Sequence, residues 1–176
     1  MTTDSWYALY VIPSEEETVA RNVSKINGVT DTCVPIEHLL YRQGGVWHRR
    51  ERLMIPSYVL IQVEELTAAI YHKIMDIGSV IRLLGKTATE MPKPIPAQQI
   101  EVIRQMTVDG ASHPMTLTWS KQDGAVVLES TIPEGVDVIK IDTRQHRVTA
   151  TIRLGELEAR VHYPLIPSSL SKLSIE

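Results

Sequence analysis

The sequence predicts an α+β N-terminal domain, an antiparallel sheet with flanking helices, followed by a small all-β barrel. Three observations carry this. Trp6-Tyr7-Ala8-Leu9-Tyr10-Val11-Ile12 and Ile55-Pro56-Ser57-Tyr58-Val59-Leu60-Ile61-Gln62-Val63 are short runs rich in aromatic and β-branched residues, as buried strands require. Apolar residues at helical spacing recur between and after these runs. From Arg147 onward the pattern changes to strict two-residue alternation.

Taken in order, the opening strand is broken at Pro13-Ser14. Ser14-Glu15-Glu16-Glu17 reads as a capping box, with the serine hydroxyl meeting an orphan amide and carboxylates at the positive end of the helix dipole. Val19, Val23 and Ile26 follow at helical spacing, and Gly28 ends the helix. Asp31 to Tyr41, the Gly44-Gly45 turn and Val46 to Met54 form a long β-hairpin. Pro56 cannot donate to a ladder, so the next strand is Tyr58–Val63. Leu66, Ile70, Ile74 and Ile77 share one face of a helix stopped by Gly78. Val80 to Leu84 is a short strand closed by Gly85. Pro92, Pro94 and Pro96 make an extended connector, and Pro96 starts a helix through Ile100, Val102, Ile103 and Met106 to about Val108.

Asp109 to Pro114 carries little apolar content and two breakers, so a linker is expected at 109–117, between an N-terminal domain of 1–108 and a C-terminal domain of 118–176. In the latter, Val148, Ala150, Ile152 and Leu154 point inward, and Gly155-Glu156 is a hairpin turn. Leu157, Ala159, Val161 and Tyr163 then resume the inward row. The turn sets Arg153 opposite Glu158 and Thr151 opposite Arg160. Strands near Ala125–Leu128 and Val136–Ile141 complete a five-strand barrel.

Composition narrows the function. Hydrophobic content of 43% with 22% charged residues is that of a soluble globular protein. No apolar run reaches the ~20 residues of a membrane span, and no secretory h-region is visible, so a cytoplasmic protein away from membranes is expected. Cys33 is the only cysteine, which excludes an internal disulfide framework, and it reads as a buried structural residue. A net charge of −3 argues against a generic polyanion binder, so nucleic-acid contact requires a local patch.

One such patch is the hairpin, where Arg42, His48, Arg49, Arg50 and Arg52 crowd around Trp47 with only Glu51 opposing them. It suits phosphate contact with Trp47 as a stacking face, and equally a solvated hairpin tip with a partly buried tryptophan. A second basic set, Lys140, Arg144, His146, Arg147, Arg153 and Arg160, is nearly balanced by Asp137, Asp142, Glu156 and Glu158, as a salt-bridged surface would be. Tyr10 and Tyr58 carry large rings with polar tips, which fit either a protein-binding groove or the core. The six histidines have no metal-ligand spacing with one another or with Cys33, and no nucleophile elbow, P-loop or dinucleotide fingerprint occurs. No enzyme activity, metal or cofactor is expected.

Trp6-Tyr7-Ala8-Leu9-Tyr10 resembles the start of the NusG family of transcription elongation factors, and Ile55-Pro56-Ser57-Tyr58-Val59-Leu60 is similar to its Phe-Pro-Gly-Tyr-Val-Phe segment. Leu84-Gly85 followed by Pro92 to Pro96 resembles the approach to that family's last N-terminal helix. The resemblance implies an N-terminal domain that binds the clamp helices of the largest RNA polymerase subunit through Tyr10, Ile55, Tyr58 and Leu60. It also implies a C-terminal KOW domain of SH3-like barrel form, with nascent RNA or DNA and a ribosomal protein as further partners of a monomer. Ser57 stands where the family has glycine, and Ile55 and Leu60 stand where it has aromatics. The KOW part lacks a Gly-Pro pair near Ser130 and has Val136 in place of a glycine. These departures resemble a specialised paralogue of the RfaH or LoaP type. The expected function is transcription elongation and antitermination, with an RNA-binding module independent of polymerase as the alternative.

Overall fold

A computed structural model describes residues 4–107 and 116–170. In chain order the elements are β1 (Ser5–Val11), α1 (Glu16–Val23), β2 (Val29–Cys33), β3 (Ile36–Gln43), β4 (Val46–Leu53), β5 (Tyr58–Val63), α2 (Ala68–Met75), β6 (Val80–Leu83), α3 (Ala97–Thr107), β7 (Leu117–Gln122), β8 (Ala125–Leu128), β9 (Val136–Asp142), β10 (Arg147–Leu154) and β11 (Leu157–Pro167), with a final 3₁₀ turn at Ser168–Leu170. Two compact units result. One gathers the chain up to Pro35 with Ile55–Ile100 and Arg153–Glu158; the other gathers Ile36–Met54, Glu101–Ile152 and the chain from Ala159. Most of the expected linker, 109–115, lies outside the described residues, as does Val108.

The first unit is built on a four-stranded sheet in the order β2-β5-β1-β6. β5 runs antiparallel to both β1 and β2, so it is an interior strand. Tyr7, Leu9, Val11, Val59, Ile61 and Val63 share one face and pack on Val19, Ala20 and Val23 of α1 and Ile74 of α2. Burial of each such aliphatic side chain contributes about 1.5–3 kcal/mol, which fixes the register, since a one-residue slip would expose the whole set. Trp6, Ala8, Tyr10, Tyr58 and Leu60 alternate to the opposite face. Thr67 caps α2, its Oγ1 accepting from the Ile70 amide at 3.2 Å. Pro96 starts the last helix as its fixed φ predicts, its carbonyl accepting from Gln99 and Ile100 at 2.9 and 3.3 Å.

Four local expectations are corrected. The capping box does not form: Ser14 sits at φ 72°, Glu15 is the residue before the helix and makes no side-chain cap, and Glu16 turns inward. Helix α1 ends at Val23, ahead of Gly28, which takes φ 97° at the entry to β2. The first arm of the expected long hairpin divides at Val34-Pro35, because proline interrupts the ladder. Cys33 and its neighbours pair with β5, and only β3 and β4 form the hairpin. Cys33 is half-buried rather than buried.

In the second unit, the hairpin pairs in register from Ile36 opposite Leu53 to Gln43 opposite Val46. The C-terminal sheet has five strands in the order β8-β7-β11-β10-β9, with β7 and β11 parallel. Val148, Ala150, Ile152, Ala159, Val161 and Tyr163 are buried, as their alternation predicts. The turn between β10 and β11, which belongs to the first unit, falls at Gly155-Glu156, Gly155 has φ 63°, and Arg153 faces Glu158 at 3.9 Å. No ladder joins β8 to β9 among the described residues, so the sheet is a half-barrel with those strands as its edges.

Candidate functional site

Two surfaces hold the side chains that sequence patterning singled out. The first is the outer face of the β1–β5 pair. Tyr10 lies directly opposite Tyr58, with ring centroids 5.3 Å apart and planes tilted by 41°. The Arg82 guanidinium from β6 sits 5.7 Å from the Tyr10 ring, within cation–π range. Both tyrosines are half-buried. Ile55 and Leu60, expected to line the same hollow, are only 6% and 1% exposed. Leu60 shares the face of the tyrosines, between Ala8 and Cys33 of the neighbouring strands, and that face is covered toward its centre, where Trp6 and Ala8 are buried as well.

The turn that aims Tyr58 is held by a buried carboxylate. Ser57 takes φ 69°, the left-handed region that favours glycine, and its amide donates to Glu16 Oε1 at 2.7 Å. Glu16 is 3% exposed. A bulge between Tyr10 and Val11 skips Ile81 in the β6 register, leaving it exposed, and Ile12 is exposed at the end of β1. Sequence patterning missed both isoleucines, because a bulge leaves no trace in apolar periodicity.

The second surface is the hairpin together with the C-terminal sheet. The expected basic set divides between the two hairpin faces. Arg42 is opposite Trp47 and Arg49 opposite Leu40 on one face; Arg50 is opposite Leu39 and Arg52 opposite Glu37 on the other. Trp47 is not the expected stacking face: it is buried, grouped with Leu40 and Ile166. Its ring meets His146 edge-on at 4.4 Å. The exposed aromatic pair is instead Tyr41 stacked on His48, 5.2 Å apart. Burial, and secondarily the Arg42 charge, hold the His146 pKa below its usual value, against the pull of Asp142.

Arg52 is committed to Glu37, a carboxylate only 2% exposed. The same carboxylate accepts the His162 amide at 2.7 Å and lies 3.1 Å from His162 Nδ1, which fastens β3 to β11. Lys140 pairs with Asp142 at 2.8 Å, and Asp142 also accepts the amides of Gln145 and Arg144. These bonds, led by that of Lys140, hold the Asp142 carboxyl down to about 2. Arg50 and Arg147 make no ion pair among the described residues. They line a cleft of about 360 Å³ with Leu39, Leu40, Tyr41 and Gln145. The two basic sets, far apart in sequence, are thereby brought together in one unit.

A four-stranded antiparallel sheet carrying a half-buried tyrosine pair on its two central strands, followed in the chain by a five-stranded half-barrel, defines an α+β fold with a KOW-like β sheet. The same fold occurs in a structure of Thermotoga maritima NusG solved to describe its domain interaction, with a TM-score of 0.56, 14% identity and coverage of 92% of this chain and 94% of that one. The model of the family described as transcription termination factor nusG matches residues 4–104. The chain belongs to the NusG family. The transcription termination/antitermination protein NusG of Pseudomonas aeruginosa is 27% identical over 120 residues, 64% of this chain and 67% of that protein. Its counterpart in Pasteurella multocida is 30% identical over 110 residues, 58% of each. The match thus spans about two thirds of the length of these relatives or less. Among the described residues no helix is long and apolar enough to cross a membrane, and no cluster of His, Cys, Asp or Glu could hold a metal.

Proposed function

We propose that this NusG-family chain is a non-enzymatic elongation and antitermination factor that docks on the clamp helices of the largest RNA polymerase subunit and suppresses pausing or termination. The observation that carries the reading is the Tyr10–Tyr58 pair, half-exposed on a sheet face otherwise closed by Ala8 and Leu60. Two rings set on a rigid ladder lose little conformational freedom on docking, and anchors of this type dominate protein interfaces. Ile12 and Ile81 extend the apolar area beyond the residues first expected. Ile55, whose carbonyl accepts from the Tyr58 amide at 3.3 Å, and the buried Leu60 flank Tyr58 along the chain. A factor that binds the closed-clamp polymerase in preference to the open, paused form shifts the equilibrium by its differential affinity alone.

The degenerate KOW sequence and the substitution at Ser57 support a specialised paralogue. The apolar β9 edge supports a protein partner for the C-terminal sheet, a ribosomal protein being the family-based candidate. The test of the docking reading is Tyr58→Ala against isolated clamp helices. Affinity should fall by about 2 kcal/mol, roughly thirtyfold, with little change in melting temperature. Unchanged affinity removes Tyr58 from the interface; a collapsed melting temperature returns it to the core.

A second reading, an RNA-binding module acting without polymerase, is favoured by one observation, the free Arg50 and Arg147 guanidinia in one cleft. It predicts RNA affinity that falls steeply with salt and survives removal of Tyr58.

A further inference from the structure

We infer that the cleft bounded by Tyr41, Arg50, Gln145 and Arg147 is a composite single-strand nucleic-acid site, to which the hairpin and the C-terminal sheet each contribute one phosphate-binding arginine. This goes beyond polymerase docking, which uses the other unit.

The lining is contributed by separate stretches of chain. Leu39, Leu40 and Tyr41 come from β3, Arg50 from β4, Gln145 from the β9–β10 turn and Arg147 from the start of β10. Every other basic side chain of the two expected sets that sits near a carboxylate is already engaged: Arg52 with Glu37, Lys140 with Asp142, Arg153 with Glu158. Arg50 and Arg147 have no acidic partner among the described residues, although the protein as a whole carries a net charge of −3. Arg42, Arg49, Arg144 and Arg160 also have no acidic partner among the described residues, and of these six only Arg50 and Arg147 line the cleft, where an entering anion meets both.

The rest of the cleft points to a nucleotide strand rather than to a lone anion. Tyr41 is 43% exposed and is braced by His48 at 5.2 Å, so one ring face is supported and the other is open, the arrangement that stacks an unpaired base. Leu39, on the Arg50 face of the hairpin, adds apolar lining. Gln145 adds an amide that can both donate and accept toward a base edge. Its backbone is held in the turn, the Gln145 amide donating to Asp142 Oδ1 at 2.9 Å. A duplex keeps its base faces stacked internally and presents no free face to Tyr41, so the occupant is a single strand, RNA or DNA.

The experiment uses the full chain with fluorescein-labelled mixed-sequence RNA and DNA twelve-mers, and a DNA duplex of the same length, read by anisotropy across a salt series. Single strands should bind more tightly than the duplex. Arg50→Gln and Arg147→Gln should each weaken binding and lower the salt slope by about 0.7, the value for one phosphate of a single strand. Tyr41→Ala should weaken binding about tenfold with the slope unchanged. The control is Arg21→Ala on the exposed surface of α1, which should change nothing. Circular dichroism melts check that each variant folds, and Arg147→Lys, which keeps the charge, should retain the slope if Arg147→Gln is unstable. Tighter binding of the RNA or of the DNA strand identifies the source. The proposal is overturned if Arg50→Gln and Arg147→Gln lose no more slope than Arg21→Ala, or if the duplex binds as tightly as the single strands. Loss of the same affinity in Tyr58→Ala would equally overturn a site separate from the docking face.

Discussion

Ser57 carries a side chain where the backbone asks for none. At φ 69° its Cβ crowds the following carbonyl, at a cost of about 1–2 kcal/mol, and the bond from its amide to Glu16 holds the turn in place. Ser57→Gly should therefore raise the urea midpoint, by about 1 kcal/mol of stability, while Ser57→Val should lower it by about 2 kcal/mol because a β-branched residue resists this region. Glu16→Ala, leaving the Ser57 amide without its partner, should cost about 1–3 kcal/mol. At this scale the sequence was legible in residue type but not in direction. Tyr10 and Tyr58 stood out by chemistry, and the segment's likeness to Phe-Pro-Gly-Tyr marked Ser57 as a glycine site. That Leu60, on the same face as the tyrosines, is buried where they are half-open depends on packing between distant segments that no local pattern encodes. The misread capping box has the same origin: Glu16 serves an amide 41 residues away.

Among elements, the hairpin is the piece whose setting local sequence could not give. Its strands and Gly-Gly turn were readable, whereas its basic residues were sorted by register into free and engaged groups. Glu37 decides part of that sorting. Glu37→Ala should lower stability by about 3 kcal/mol, the lower end for breaking a buried pair, because the Arg52 side chain is 41% exposed. Hydrogen exchange should show the β3–β4 amides losing protection first. Glu37→Gln, which keeps an acceptor, should lose less.

The contact of Trp47 with His146 gives the same unit a pH dependence. With the folded His146 pKa below the ordinary 6.5, the unfolded chain binds the proton more readily. The stability contributed by neutral His146 is then full above about pH 6.5 and declines as pH falls through the lower folded value. Titration of the imidazole by NMR should place its midpoint below 6.5, and the thermal midpoint should fall in step. Asn, which tolerates the φ of 53° found at His146, should abolish that dependence in His146→Asn. Asp142, held to about 2, acts in a more acidic window: its turn is intact above its ordinary 3.8 and loosens as pH approaches 2.

Across the whole molecule, the succession of an α+β sheet and a small β sheet was legible because both periodicities, 3.6 and 2, are cleanly written in the apolar residues. Closure of the barrel was not, since an edge strand and an interior strand alternate alike. The open edge has a consequence for partners. β9 exposes Val138, Ile139 and Ile141 by 40%, 53% and 37%, so both of its faces carry exposed apolar side chains, and its outer ladder is unpaired among the described residues. Such an edge accepts an added strand. Ile139→Lys should weaken binding of the proposed ribosomal-protein partner about tenfold while changing stability by no more than about 0.5 kcal/mol, checked by calorimetry and thermal melting.

The bond from the His162 amide to Glu37 spans 125 positions. On the ribosome, at roughly 5–20 residues per second, the carboxylate is synthesised about 6–25 s before its amide partner exists. For that interval the emerging hairpin is hydrated and unanchored, and the order of translation gives it a period of independence that the finished protein no longer has.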